Sequence, residues 1–148
     1  MKPIHLKAWI SNGGDEALKS WGVSTRLLVS GKSEEIVDAF RLALPKAHRK
    51  FFRALKLDYR VGDYLFVHAG IRPGVPLEEQ DERDLMWIRG DFLRHRKGFG
   101  VHVVHGHTIS KDVDEQKNRT GIDTGAYMTG TLTALVLEGA ERRYIATD

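Results

Sequence analysis

Three of the seven histidines stand where an apolar run gives way to small residues: Tyr64-Leu65-Phe66-Val67-His68 runs into Ala69-Gly70, and Val103-Val104-His105 into Gly106-His107-Thr108. An apolar strand that delivers an imidazole into a glycine turn puts a metal ligand, a general base or a phosphate contact where a ligand can approach the backbone. If the chain stays extended, His105 and His107 face the same side. Two such strand ends lying side by side would form a shared metal site; a lone histidine of this kind is otherwise a hydrogen-bonded structural residue. Arg89, two residues after Trp87, has a fork that could hold two phosphate oxygens. The competing reading of Arg89 is a surface salt bridge. Asn12-Gly13-Gly14 is either an anion-binding nest or a plain helix entry.

The carboxylates in suggestive places are Asp63, Asp84 and Asp123, and none lies in an Asp-x-His or Gly-Asp-x-x-Asp pattern. A hydrolytic two-metal site needs bridging carboxylates to hold dications about 3.5–4 Å apart, so the obvious ligands are too few. Asp123-Thr124-Gly125-Ala126 also spells the active-site text of homodimeric aspartic proteases. No flap-like hairpin accompanies it, and that reading is set aside.

These residues need elements to place them. Asp15-Glu16-Ala17-Leu18 after Gly13-Gly14 predicts a helix that Gly22 ends. Ser33 reads as the N-cap of a second helix carrying Ile36, Val37 and Phe40 on one face. Pro45 to Leu57 describes a basic amphipathic helix, expected as a solvated outer face rather than a nucleic-acid surface. Gly62-Asp63 between Asp58–Val61 and Tyr64–Val67 predicts a hairpin whose second strand is buried on both faces. Residues 70–82 read as an exposed loop, and residues 84–93 as a short helical piece. Further strands are expected at residues 101–105, 120–123, 131–137 and 142–146. Helices first and strands second argue for a layered α+β architecture rather than regular βαβ alternation.

With 148 residues, one compact unit is the expectation. A net charge of +3 does not call for a polyanionic partner, and the absence of cysteine excludes disulfides, thiolate zinc and a thiol nucleophile. No run approaches the ~20 apolar residues of a membrane helix, and Met1-Lys2-Pro3-Ile4-His5 lacks the apolar core of a signal peptide. A cytoplasmic protein with no membrane partner is expected.

Taken in order, Trp9-Ile10-Ser11-Asn12-Gly13-Gly14, Gly62-Asp63-Tyr64-Leu65-Phe66-Val67-His68-Ala69-Gly70-Ile71-Arg72-Pro73-Gly74, Asp84-Leu85-Met86-Trp87-Ile88-Arg89, Val104-His105-Gly106-His107-Thr108 and Ile122-Asp123-Thr124-Gly125-Ala126-Tyr127 resemble the C-terminal part of bacterial and phage-type serine/threonine protein phosphatases, in the phosphoprotein-phosphatase branch of the calcineurin-like metallophosphoesterases. The resemblance implies an αββα sandwich with a binuclear centre of manganese, or of iron with zinc. It implies that His68 and His107 are metal ligands and that Arg89 holds the substrate phosphate. His105 either approaches the substrate or buttresses the turn, and Tyr127 falls near a tyrosine lining the cleft. The implied reaction is in-line hydrolysis of a phosphomonoester in a phosphoprotein or small phosphoester by metal-activated hydroxide. Dinucleoside tetraphosphate hydrolases share much of the pattern.

The family's Gly-Asp-x-His-Gly, Gly-Asp-x-x-Asp-Arg-Gly and Gly-Asn-His-Glu motifs do not occur here. Residues 1–148 are therefore expected to be the C-terminal portion of one such domain, a sandwich lacking its N-terminal strands, with sheet edges open to another protein or a second copy. An inactive remnant or partner-binding module is the alternative reading.

Overall fold

The computed structural model describes residues 2–139 and 141–147. The chain divides into two compact units, Met1–Leu55 and Lys56–Asp148. The first is helical: α1 (Leu6–Trp9), α2 (Asp15–Ser20), α3 (Thr25–Ser30), α4 (Ser33–Ala43) and α5 (Lys46–Ala54). Its core is Leu6, Leu18, Val23, Ile36 and Val37. Two of these helices, α1 and α3, escape the periodicity argument because they are short, of four and six residues, and bury at most one residue each. Asn12-Gly13-Gly14 resolves as a helix entry: Asn12 Nδ2 donates to Ala8 O at 2.7 Å, and Gly13 takes φ +85 in the wide turn joining α1 to α2. Ser33 is the first helical residue rather than the cap; Lys32 caps α4, and its N–H donates to Glu35 Oε2 at 3.0 Å. Ser24 does cap α3, accepting from Leu27 N at 3.3 Å. Ser24→Ala is expected to cost about 1 kcal/mol in urea denaturation.

The second unit holds a five-stranded mixed sheet of β1 (Asp58–Val61), β2 (Tyr64–Val67), β3 (His102–His105), β4 (Asp114–Glu115) and β5 (Arg119–Gly121), in the order β1-β2-β3-β5-β4. Strands β2, β3 and β5 run parallel, and β1 and β4 pair antiparallel at the two edges. Gly62, at φ +53, makes the two-residue hairpin turn possible. Strand β2 alternates half-buried Tyr64 and Phe66 with buried Leu65 and Val67 instead of being buried on both faces. Leu65, Val67 and Val103 meet Ile71, Leu85, Ile88 and Phe92 in one core, carried by α6 (Glu82–Trp87), α7 (Gly90–Arg94) and the chain between β2 and α6. Buried Ile71 anchors the stretch that reads as an exposed loop in the sequence.

After α8 (Ala126–Thr129) comes a second sheet of two antiparallel strands, β6 (Thr133–Glu138) and β7 (Glu141–Ala146). It docks on the Tyr64 face of the larger sheet. Arg142 donates to Tyr64 Oη at 2.9 Å and to Glu115 at 3.2 Å, and Tyr144 Oη donates to Glu115 at 2.6 Å. Helices, a mixed sheet and a second sheet make this unit α+β and layered. Among the described residues the second sheet has only these two strands, so each keeps one edge without a strand partner. Among the described residues, no helix is long and apolar enough to cross a membrane.

Candidate functional site

The C-terminal ends of the three parallel strands converge, as ligand-binding strand ends do in open α/β sheets. His68 follows β2, Gly106-His107 follows β3 and Ile122-Asp123 follows β5. The ends are stitched together by Gly106 N donating to His68 O and Ile122 N donating to His105 O, both at 2.9 Å. His68 Nε2 lies 3.2 Å from His107 Nδ1, with ring centroids 4.9 Å apart. Of the three strand-end histidines, the structure brings His68 and His107 together.

His105 and His107 do not share a side. His107 has φ +64, the one positive value outside glycine among the described residues, and Thr108 N closes a three-residue turn onto Gly106 O at 2.7 Å. A non-glycine residue held there costs of order 1–3 kcal/mol, a strain that collects at functional sites. The turn ends the two-residue alternation and swings the His107 ring to His68. The His107 Nε2 atom is buried with no hydrogen-bond partner. Burial, reinforced by Arg89 and His68, holds its pKa below the ordinary imidazole range, so the ring is neutral at pH 7. The Trp87 indole meets it edge-on, centroids 5.5 Å apart.

Arg89 is exposed and donates from Nη1 to His107 O and to Thr108 Oγ1, each at 3.0 Å. Both bonds use one nitrogen, which fixes the guanidinium beside the histidine turn.

His105 is 3% exposed and lies beneath the turn. Its Nε2 accepts from Arg119 Nη1 at 3.2 Å, which leaves the proton on Nδ1 to be donated to Gly106 O at 3.1 Å. Burial holds its pKa low and keeps this tautomer neutral. Arg119 donates in turn to Asp114 Oδ2 at 2.6 Å. Nothing in the text Asn118-Arg119-Thr120 marks this arginine as buried; only the pairing of β5 between β3 and β4 puts it there.

The three carboxylates part company. Asp63 sits at the opposite end of β2, where its carbonyl accepts from His102 N at 2.7 Å. Asp84 is engaged by Arg72. Asp123 belongs to the site: it lines a cavity of about 380 Å³ together with His68, His105, Phe66, Val104 and Ile122, and its Oδ1 accepts from Gly125 N at 3.0 Å. Its signal in the sequence is the polar residue after a β-prone run, the same signal that marks His68. Tyr127, on α8, is 83% exposed and outside the lining of this cavity.

The described residues contain no group of three or more His, Asp or Glu side chains placed to hold a metal ion. The donors that meet are two imidazoles already hydrogen-bonded to each other. They do not by themselves fit the binuclear centre that the resemblance implies.

No protein-family model matches the chain, and no curated protein matches it in sequence. Among solved structures, the crystal structure of a protein described as a "putative diadenosine tetraphosphatase" is similar at a TM-score of 0.62 and 19% identity, over 91% of this chain. This chain spans 65% of that protein's length. What the two share is the fold, a mixed sheet flanked by helices, in agreement with the layered α+β architecture the resemblance implies.

Proposed function

We propose that this chain carries the histidine and arginine part of a phosphoester hydrolase site of the metallophosphoesterase type, with a phosphoprotein or small phosphoester as substrate. The observation that carries the reading is the His68–His107 pair, 3.2 Å apart on adjacent strand ends, with Arg89 anchored on the His107 carbonyl. Arg89 would grip phosphoryl oxygens. Manganese, or iron with zinc, is part of the proposal: His68 and His107 are the donors this chain would contribute, and among the described residues no third His, Asp or Glu joins them in a group placed to hold an ion. A second reading, hydrolysis of a dinucleoside tetraphosphate, is favoured by the description of the similar solved structure. A third, a phosphate-binding module without turnover, is favoured by the incomplete donor set.

The test is calorimetric titration of inorganic phosphate into the purified chain, alongside manganese-dependent hydrolysis of an aryl phosphate and of diadenosine tetraphosphate. Wild type should bind phosphate, and Arg89→Ala should weaken binding at least about tenfold, the scale of a lost charge-assisted contact. Turnover lost in His68→Ala and His107→Ala identifies the hydrolase, and the preferred substrate separates the first two readings. Binding without turnover identifies the module. Failure of the folded chain to bind phosphate at all would overturn the proposal.

A further inference from the structure

The chain that leaves His68 and the helix that leads into Arg89 are tied by one two-pronged contact. Arg72 donates from Nε to Asp84 Oδ2 and from Nη2 to Asp84 Oδ1, the second at 2.7 Å, with both nitrogens on one edge of the guanidinium. The Asp84 side chain is 16% exposed and Arg72 is 46% exposed. Arg72 is fixed from its backbone as well: its N–H donates to Gln80 Oε1 at 2.7 Å, and Gln80 Nε2 donates back to Arg72 O at 3.0 Å and to Val75 O at 2.9 Å.

Asp84 is the root of the segment that bears the site. Its carbonyl accepts the last helical hydrogen bond of α6, from Ile88 N at 3.0 Å, and Arg89 comes next with the non-helical dihedrals φ −134 and ψ −93. Leu85 O accepts from Ala69 N at 2.9 Å, clamping the same helix to the residue after His68. Trp87 touches His107, and Arg89 holds the His107 carbonyl. The fork and the backbone bond together make a rigid strut from the His68 side of the site to the Arg89 side.

We propose that Arg72 and Asp84 are positioning residues whose bidentate contact sets where Trp87 and Arg89 meet the His68–His107 pair. The phosphate part of this inference rests on the function proposed above; the geometric part does not. A guanidinium is required because its planar fork transmits direction, which an ammonium cannot. A merely structural ion pair this exposed would add little to stability and nothing to the placement of a residue five positions away.

The experiment uses the 148-residue chain with Asp84→Asn, Arg72→Lys and, as a charge control, Asp91→Asn, whose carboxylate is 3.4 Å from Arg72 Nη1 but outside the fork. NMR reads the Trp87 indole N–H, the Arg89 side-chain N–H and the His107 ring; calorimetry reads inorganic phosphate affinity; urea denaturation reads stability. Asp84→Asn and Arg72→Lys should each displace the three site signals and weaken phosphate binding about tenfold, with the urea midpoint close to that of wild type. Asp91→Asn should change none of them. Unmoved site signals in both fork variants, or an equal effect from Asp91→Asn, would overturn the proposal. If wild type binds no phosphate, the function proposed above fails, and the site signals alone decide the strut.

Discussion

Phe92→Ala is expected to lower the unfolding free energy of the second unit by about 3–5 kcal/mol, the range for emptying a fully buried aromatic position. Phe92 is 0% exposed and is the largest fully buried side chain. Its ring stacks on Phe99 at 5.5 Å, meets His105 edge-on at 4.9 Å and lies 5.9 Å from the Arg119 guanidinium. The substitution therefore removes the wall that keeps His105 under the histidine turn. Gly70 supplies the space on the other side: it has φ +153, and a Cβ there would fall within 2.6 Å of Phe92 Cγ. Gly70→Ala should accordingly be damaging in a wild-type background; beside Phe92→Ala the methyl enters the vacated volume, so the steric part of the damage is relieved and the backbone cost of φ +153 remains. The double variant should be more stable than the summed single effects by about 1–3 kcal/mol, the size of coupling between side chains in contact. Urea denaturation of the four proteins gives the coupling directly, and additivity within about 0.5 kcal/mol would show that the glycine is not there for the ring.

What could be read from the sequence, and what could not, divides along the distance over which each feature is decided. The hairpin from Asp58 to Val67 is legible because a two-residue turn and its flanking strands are local chemistry. His68 and His107 are legible as strand-end residues for the same reason. The orientation of His107 is not, because the left-handed φ of +64 at His107 itself, closed by Thr108 N donating to Gly106 O, breaks the strand period. Asp123 enters the site only because β5 lies parallel beside β3, a pairing no local pattern announces. Arg119 is harder still: a charged residue in a polar stretch ordinarily faces water, and here the β3-β5-β4 order buries it to 4% exposure. The two-residue strand β4, which brings its partner Asp114, is too short to carry a period.

The buried pair below the histidines should be the second large effect, and its sign depends on which partner is removed. Asp114→Ala leaves the Arg119 guanidinium, 5% exposed and with a buried Nε that has no hydrogen-bond partner, without its carboxylate. Breaking a buried ion pair from one side costs about 3–5 kcal/mol; because the Asp114 side chain is 32% exposed, water can reach the gap and about 2–3 kcal/mol is expected. Arg119→Met in the same background should recover part of the loss, since an apolar chain of similar length then fills the space without stranding a charge. Acid should mimic the first substitution. Burial pushes the Asp114 carboxyl up, but hydrogen bonds from Gln116 and Arg119 pull it further down, so it lies below its ordinary value of 3.8 in the folded state. The unfolded chain then binds the proton more readily; this contribution is complete above about pH 4 and is lost as pH falls through the folded value. The neutral His105 adds an earlier limb of the same sign. Burial holds it below its ordinary 6.5, so stability begins to fall as soon as pH drops below that value and the unfolded imidazole takes up a proton. Unfolding free energies measured from pH 8 to pH 3 should show both limbs, with the upper one reduced in His105→Gln and the lower one reduced in Asp114→Ala. A profile unchanged by either substitution would mean that these groups titrate alike folded and unfolded, and that the network beneath the site contributes no pH-dependent stability.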